Sequence, residues 1–137
     1  MKVLIDNNVV LDAIVSRVPW SEAAERIVLL IGDGEIDGYI TANSATDIFY
    51  VLKKMTNTTT AKETMRRVLT VFSVLSVSGE DCERALDCLM DDFEDALLTV
   101  CAENIAADYI VSRDADFLKA QSPVTVINPI DFLEKLG

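Results

Sequence analysis

The segment Val3-Leu-Ile-Asp-Asn-Asn-Val-Val-Leu-Asp12 near the start of the chain decides the fold. Its apolar residues Val3 to Ile5 predict a β-strand, and a helix is predicted around Val9 to Ser16. Asp6 follows the strand directly, so its carboxylate is predicted to lie at the strand's carboxyl end. Open parallel sheets bind their ligands at that end. The segment therefore predicts a parallel strand with an acidic residue at the ligand-binding edge of the sheet.

Three further carboxylates stand beside apolar runs much later in the chain, namely Asp47, Asp95 and Asp114. If folding brings them to Asp6, their charges repel one another strongly unless a hard cation neutralises them. The distribution of these four residues therefore predicts a metal site that is assembled by folding.

Short apolar runs rich in β-branched residues alternate with longer helical patterns along the chain. This alternation predicts an α/β protein with three layers, α/β/α, around a central parallel sheet of about five strands. At 137 residues the chain is predicted to form one domain, residues 1–137. The predicted strands are Val3–Ile5, Tyr39–Ile40, Val74–Val77, Tyr109–Val111 and Val124–Val126, and the later helices are Ser21–Ile31, Ser44–Lys54, Ala61–Val71, Glu80–Met90, a helix from Asp92 to Ala106, and one opened by Pro129.

Composition narrows the possible chemistry. The chain carries 12 Lys and Arg against 23 Asp and Glu, for a formal net charge of −11, and it has no histidine, which excludes a histidine-based triad or general base. The cysteines Cys82, Cys88 and Cys101 lack zinc-site spacing and are each predicted to act as small buried hydrophobic residues. No apolar run approaches the roughly 18 residues of a membrane span, and no signal peptide is recognised, so a cytoplasmic protein without a membrane partner is expected.

Positive charge is concentrated in one stretch despite the negative total. It comprises Lys53, Lys54, Lys62, Arg66 and Arg67, with only Glu63 opposing them. A stretch of this kind is usually a solvated helix face. The alternative is contact with RNA phosphates, if these helices pack near the carboxylates.

Three segments taken together resemble the PIN domain, a family of metal-dependent nucleases that includes the VapC-like toxins of many toxin–antitoxin pairs. They are Val3–Asp12, Asp92-Phe-Glu-Asp-Ala-Leu97 and Asp108-Tyr-Ile-Val-Ser-Arg-Asp-Ala-Asp-Phe117. The family shows, in the same order, an apolar strand before Asp-Thr-Asn-Val-Leu, Asp-Ala at the start of a helix, and Ile-Val-Thr-Arg-Asp-x-Asp-Phe. The resemblance spans nearly the whole chain.

The resemblance implies a role for each matching residue. Asp6 matches the first metal ligand, Asp95 the third and Asp114 the fourth, with Asp116 close enough to share or take the last role. Asp47 stands where the family normally has a glutamate, so its side chain is one methylene shorter and its metal contact could pass through water. The supporting positions are Asn8, Ser112 and Asp92.

The resemblance also implies a function. A PIN-like site holds Mg²⁺ or Mn²⁺, which prefer oxygen ligands and keep several waters. Two ions about 4 Å apart would bridge a scissile RNA phosphate and activate the attacking water. Toxins of this family generally form homodimers, and a small antitoxin protein covers their acidic crevice.

Local alternatives exist for several acidic residues. Asp6 could cap the following helix, and Asp92 is a better candidate for an N-cap than for a ligand. Asp12 is predicted to face solvent, and Asp91 and Glu94 to belong to a solvated acidic face. Asp114 and Asp116 could form an acidic turn that caps a helix containing Phe117 and Leu118.

Two other functions compete with the nuclease. The substitution at Asp47 leaves room for a catalytically inactive PIN-like binding module. A phospho-accepting receiver domain also has acids after its first strand, but it needs an Asp after the third strand and a Lys after the fifth. The chain offers Ser78-Gly79 and Ile127-Asn128-Pro129 there, which speaks against a receiver.

Overall fold

A computed structural model describes residues 1–137 and contains five strands and eight helices. The strands are β1 (Lys2–Ile5), β2 (Asp37–Thr41), β3 (Ser73–Leu75), β4 (Tyr109–Val111) and β5 (Val126–Ile127). The helices are α1 (Asn7–Ile14), α2 (Ser21–Gly32), α3 (Ala42–Met55), α4 (Thr58–Val71), α5 (Gly79–Leu86), α6 (Phe93–Asn104), α7 (Ala115–Lys119) and α8 (Pro129–Leu136).

The five strands form one parallel sheet in the order β3-β2-β1-β4-β5. β1 is central: Leu4 is in register with Tyr39 of β2 on one side and with Ile110 of β4 on the other. The chain adds β2 and β3 on one side of β1 and then β4 and β5 on the other side. β1 and β4 therefore flank a topological switch point. Receiver domains have the order 2-1-3-4-5, so this topology excludes the receiver alternative.

Helices cover both faces of the sheet, which confirms the predicted three-layer α/β/α fold. Adjacent residues of β1 point to opposite faces, as strand geometry requires. Val3 and Ile5 pack into the larger core with α1, α2, α3, α4 and α8, whereas Leu4 packs into a smaller core with Leu98 of α6 and Phe117 of α7. Val3, Leu4 and Ile5 are all fully buried, so the strand that precedes Asp6 is packed on both faces.

Several predicted boundaries shift in the structure. The helix predicted over Glu80–Met90 ends at Leu86, because the peptide N–H groups of Asp87 and Cys88 bond to carbonyls three residues back and tighten the last turn. The fifth strand is Val126–Ile127 rather than Val124–Val126, since pairing with β4 selects these residues. Val124 is buried in the smaller core instead.

Two composition-based predictions can be compared with the structure. Cys101 is buried as predicted, while Cys82 and Cys88 are only half-buried, and all three are free thiols. Burial raises the pKa of the Cys101 thiol to about 11. The structure contains no helix with both the length and the apolar character needed to cross a membrane.

Candidate active site

Asp6 lies at the carboxyl end of the central strand and is fixed by its neighbours in the chain and by the residue that follows β4. The Ser112 hydroxyl donates to Asp6 Oδ2 at 2.8 Å, and the Asn7 peptide N–H donates to Oδ1 at 2.8 Å. The Asn8 amide lies 3.4 Å from Oδ2. Asp6 is also the residue before α1, so it occupies the N-cap position and the crevice at once. The two roles proposed for it from sequence are compatible.

Burial controls the protonation of Asp6. Withdrawal of its carboxyl group from water raises its pKa, and the nearby negative charges of Asp114 and Asp92 raise it further. The hydrogen bonds from Ser112 and Asn7 act in the opposite direction but do not cancel the effect of burial. A positive charge beside Asp6 would therefore lower the free energy needed to ionise its buried carboxyl group.

Helix α6 brings two acidic residues to the same place. Asp92 caps the helix by accepting the Asp95 peptide N–H at 3.0 Å, as the sequence predicts. Burial raises the pKa of Asp95 to about 7, and the charges of Asp92, Asp6, Asp114 and Glu94 add to the effect. Burial and carboxylate crowding together thus outweigh the helix dipole, which by itself favours an ionised group in the first turn.

Asp114 joins the site from the loop after β4. Its carboxylate caps α7 by accepting the peptide N–H of Asp116 at 2.9 Å and that of Phe117 at 3.4 Å. Its own N–H donates to the Ser112 hydroxyl at 3.1 Å, which connects it to Asp6. Asp114 lines the same crevice as Asp6 and Asp95, whereas Asp116 lines only a neighbouring cavity.

The crevice is a cavity of about 190 Å³ at the carboxyl edge of the sheet. Only one of its ten lining residues is hydrophobic. A larger cavity of about 650 Å³ adjoins it and shares Asp92, Asp95 and Asp114. Lys119 is the one cation that lines the larger cavity. The crevice is lined by Asp6, Asn7, Asn8, Asn43, Ser44, Asp92, Glu94, Asp95, Leu98 and Asp114.

Asp47 lies beside this crevice but does not line it. The Asn7 side-chain amide donates to Asp47 Oδ2 at 3.3 Å, which joins Asp47 to a residue that does line the crevice. Its neighbour at the crevice is Glu94. Partial withdrawal from water is the largest cause of the raised pKa of Glu94. A hydrogen bond to the Asp47 carboxyl and the negative charges of Asp47, Asp92 and Asp6 raise this pKa further.

Five residues that line the crevice were not among the predicted site residues, namely Asn7, Asn43, Ser44, Glu94 and Leu98. Glu94 was assigned to a solvated acidic face; it is exposed, but it borders the crevice together with Asp6 and Asp95. Asn43 also lines the crevice, and its Oδ1 atom is buried without a hydrogen-bond partner. Glu94 stands within the Asp92-Phe-Glu-Asp95 motif, so proximity in that motif was the available signal. Asn43 carried no comparable signal.

Asp12 was predicted to face solvent, and this is wrong. Its side chain is fully buried and makes a bidentate ion pair with Arg113, with contacts of 2.6 and 3.1 Å. Arg17 lies 3.8 Å away, and the Arg113 guanidinium stacks 3.9 Å above the ring of Trp20. Arg113, in the loop after β4, covers the side of α1 that carries Asp12. The pair thereby joins the loop of Ser112 and Asp114 to the helix that begins at Asn7.

The basic stretch lies away from the crevice lining. Lys53 and Lys54 are in the last turn of α3, more than ten residues beyond the end that faces the site, and Lys62, Arg66 and Arg67 are on α4. None of the five lines either acidic cavity. Arg67 instead borders an apolar groove formed with α1 and α2.

The donor set of the crevice fits a hard divalent cation. All its candidate ligands are oxygens, burial and then mutual repulsion raise the pKa values of Asp6 and Asp95, and Asn43 Oδ1 is an unpaired acceptor. No group of three acidic side chains converges closely enough to enclose an ion by itself. That spacing suits Mg²⁺ or Mn²⁺ that keeps several of its waters, rather than a closed protein cage.

Comparison with known proteins identifies the family. The family model described as PIN domain matches residues 2–116, so this chain belongs to the PIN domain family. No curated protein matches it by sequence. Among solved structures it resembles VapBC2 from Rickettsia felis, determined bound to a promoter DNA fragment, with a TM-score of 0.70, 14% identity, and coverage of 93% of this chain and 98% of that one.

Two further structures share the fold. A toxin–antitoxin complex from Klebsiella pneumoniae has a TM-score of 0.71 and 16% identity, covering 93% of this chain and 97% of its own. VapC20 from Mycobacterium tuberculosis, described as a toxin that cleaves the sarcin–ricin loop, has a TM-score of 0.70 and 16% identity, covering 88% and 95%. The fold is thus that of VapC-type proteins.

Proposed function

We propose that this protein is a Mg²⁺- or Mn²⁺-dependent endoribonuclease that hydrolyses RNA phosphodiester bonds in the cytoplasm. The observation that carries the proposal is the meeting of Asp6, Asp95 and Asp114 in one crevice from three separate parts of the chain. Membership of the PIN domain family supports it. When bound, the metal would activate a water and stabilise charge on the phosphate.

The protein side chains have distinct parts in this proposal. Asp6, Asp95 and Asp114 would hold the metal, with Asp116 at the border of the adjoining cavity. Ser112 and Asn8 orient Asp6 through their hydrogen bonds, as outer partners of metal ligands commonly do. Lys119 is placed to meet a substrate phosphate in the larger cavity, where it would offset the surrounding acids. Contact between RNA and the stretch from Lys53 to Arg67 remains a separate prediction.

We further propose that the protein is the toxin of a toxin–antitoxin pair and forms a homodimer. The similar structures from R. felis and K. pneumoniae are of toxin–antitoxin assemblies, which supports this context. A small antitoxin would cover the crevice and offset its negative charge. Co-expression with the product of an adjacent small reading frame, followed by co-purification and light scattering, tests both the partner and the dimer.

The test of catalysis compares the parent protein with Asp6→Asn in MnCl₂ on labelled single-stranded and hairpin RNAs. We expect the variant to lose more activity than the ~10–100-fold typical when an outer partner of a metal ligand is removed. Asp33→Asn is a matched control, because it makes the same chemical change at an exposed residue beyond α2, away from the crevice. Equal cleavage by the parent and Asp6→Asn would refute the assigned site.

An inactive binding module is the second candidate. The position of Asp47 favours it, since the acid expected on α3 does not line the crevice. A parent protein that cleaves no RNA while retaining the partner would support this alternative.

A further inference from the structure

We propose that Glu94, and not Asp47, supplies the second acidic side chain of the metal site in this protein. The inference rests on the proposed metal-dependent nuclease function. The family resemblance assigns this position to Asp47 on α3, where a glutamate is usual. The structure instead gives the crevice a glutamate from the first turn of α6.

The first argument is the position of the two carboxylates. Glu94 lines the crevice with Asp6, Asp95 and Asp114, whereas Asp47 does not. Asn43 and Ser44, in the first turn of α3, line the same crevice as Glu94. Glu94 therefore shares the crevice with the start of α3, the helix on which the second acid is expected.

The second argument is the length of the side chains. Aspartate is one methylene shorter than glutamate, so Asp47 on α3 reaches less far than the residue it replaces. Asp47 Oδ2 accepts a hydrogen bond from the Asn7 side-chain amide at 3.3 Å. This contact makes Asp47 a positioning residue for the segment that follows Asp6.

Helix α3 contributes an amide side chain, that of Asn43, in place of a carboxylate. Asn43 lies one helical turn before Asp47, so the two residues share a face of α3. Asn43 lines the crevice, and its buried Oδ1 atom has no partner in the protein. A buried acceptor of this kind needs a donor. Water bound to the cation would supply one, so Asn43 would accept a hydrogen bond from a metal-bound water.

The test is calorimetric titration with MnCl₂ at pH 8 of the parent, Glu94→Gln, Asp47→Asn and Asp87→Asn. Asp87 is the control, because it is an exposed acidic residue directly after α5 and it lines neither acidic cavity. We expect Glu94→Gln to weaken Mn²⁺ binding at least tenfold, and the other two variants to weaken it less than threefold. Circular dichroism checks that each variant is folded, and because Glu94 is exposed its amide variant should fold like the parent.

The outcomes separate this inference from the proposed function. Normal Mn²⁺ affinity in Glu94→Gln, with a tenfold loss in Asp47→Asn, would overturn the assignment while leaving the nuclease intact. A loss in Asp87→Asn equal to that in Glu94→Gln would also overturn it, because the effect would then be one of general charge. A parent protein that binds no Mn²⁺ would refute the proposed function, and this assignment with it.

Discussion

Replacement of Arg113 by alanine should destabilise the protein more than any comparable change at an exposed arginine. The Asp12 side chain is fully buried, and Arg113, itself a quarter exposed, is its bidentate partner at 2.6 and 3.1 Å. Removing the guanidinium leaves a carboxylate in the interior with only Arg17 at 3.8 Å. The stacking on Trp20 at 3.9 Å is lost as well.

The expected loss follows from these contacts. Breaking a buried ion pair typically costs ~3–5 kcal/mol, because one charge stays buried without its partner. The partial exposure of Arg113 and the remaining Arg17 place the cost near the lower end, at ~3 kcal/mol. With an unfolding entropy of about 2.1 cal/mol/K per residue, a chain of 137 residues should lose ~10 °C in Tm.

Calorimetry and urea unfolding at pH 7.5 would measure both quantities. Arg26→Ala is the control, since Arg26 is exposed and forms no salt bridge, and it should change stability by no more than ~0.5 kcal/mol. Arg113→Lys should give an intermediate loss, because lysine keeps the charge but not the planar fork. A loss below 1 kcal/mol in Arg113→Ala, or an equal loss in Arg26→Ala, would refute the reasoning.

Three further results are expected. In EDTA the protein should lose stability as pH rises from about 4 through about 7, because the pKa of Asp95 is raised to about 7 in the folded state and its carboxylate is disfavoured there. Asp95→Asn should then be ~1 kcal/mol more stable than the parent at pH 8, a figure reduced because water screens this half-exposed group. Identical pH profiles of Tm in the two proteins would contradict this reasoning. Ser112→Ala should reduce Mn²⁺ affinity ~10–100-fold by releasing Asp6 from its 2.8 Å hydrogen bond, as titration would measure, and unchanged affinity would remove Ser112 from the site. Gly38→Ala should cost ~1–3 kcal/mol, because a Cβ at Gly38 would lie 2.5–2.8 Å from side-chain carbons of Ile31; a Tm equal to that of the parent would show that Ile31 moves aside freely.

Local sequence patterns were sufficient for most of the fold. The apolar run before Asp6 and the run Tyr109–Val111 both became strands, because most of their residues are β-branched or aromatic and all but Tyr109 are buried on the sheet. The N-cap at Asp92 was also predictable, since a short acidic side chain before a helix satisfies a free peptide N–H. Boundaries such as the early end of α5 depend on tight turns that no periodicity reveals.

The candidate site was predictable in part. Its acids Asp6, Asp95 and Asp114 stand at the ends of predicted elements, where backbone direction carries the side chains to one edge of the sheet. The burial of Asp12 was not predictable, because its partner lies 101 residues away and arrives only when β4 pairs with β1. The same holds for Asp47 and Glu94, whose neighbourhood depends on how α3 and α6 approach across the sheet.

The sequence by itself determined the chemical inventory: a chain without histidine, rich in carboxylates, with acids placed after apolar strands and at helix starts. These features are local, since they depend on residue type and on the period of each element. The tertiary structure decided which acids share a cavity, which one is held in an ion pair, and which one accepts a hydrogen bond from an asparagine. Those outcomes depend on distances between elements far apart in the chain, and such distances are fixed only when the sheet and its two helical layers pack together.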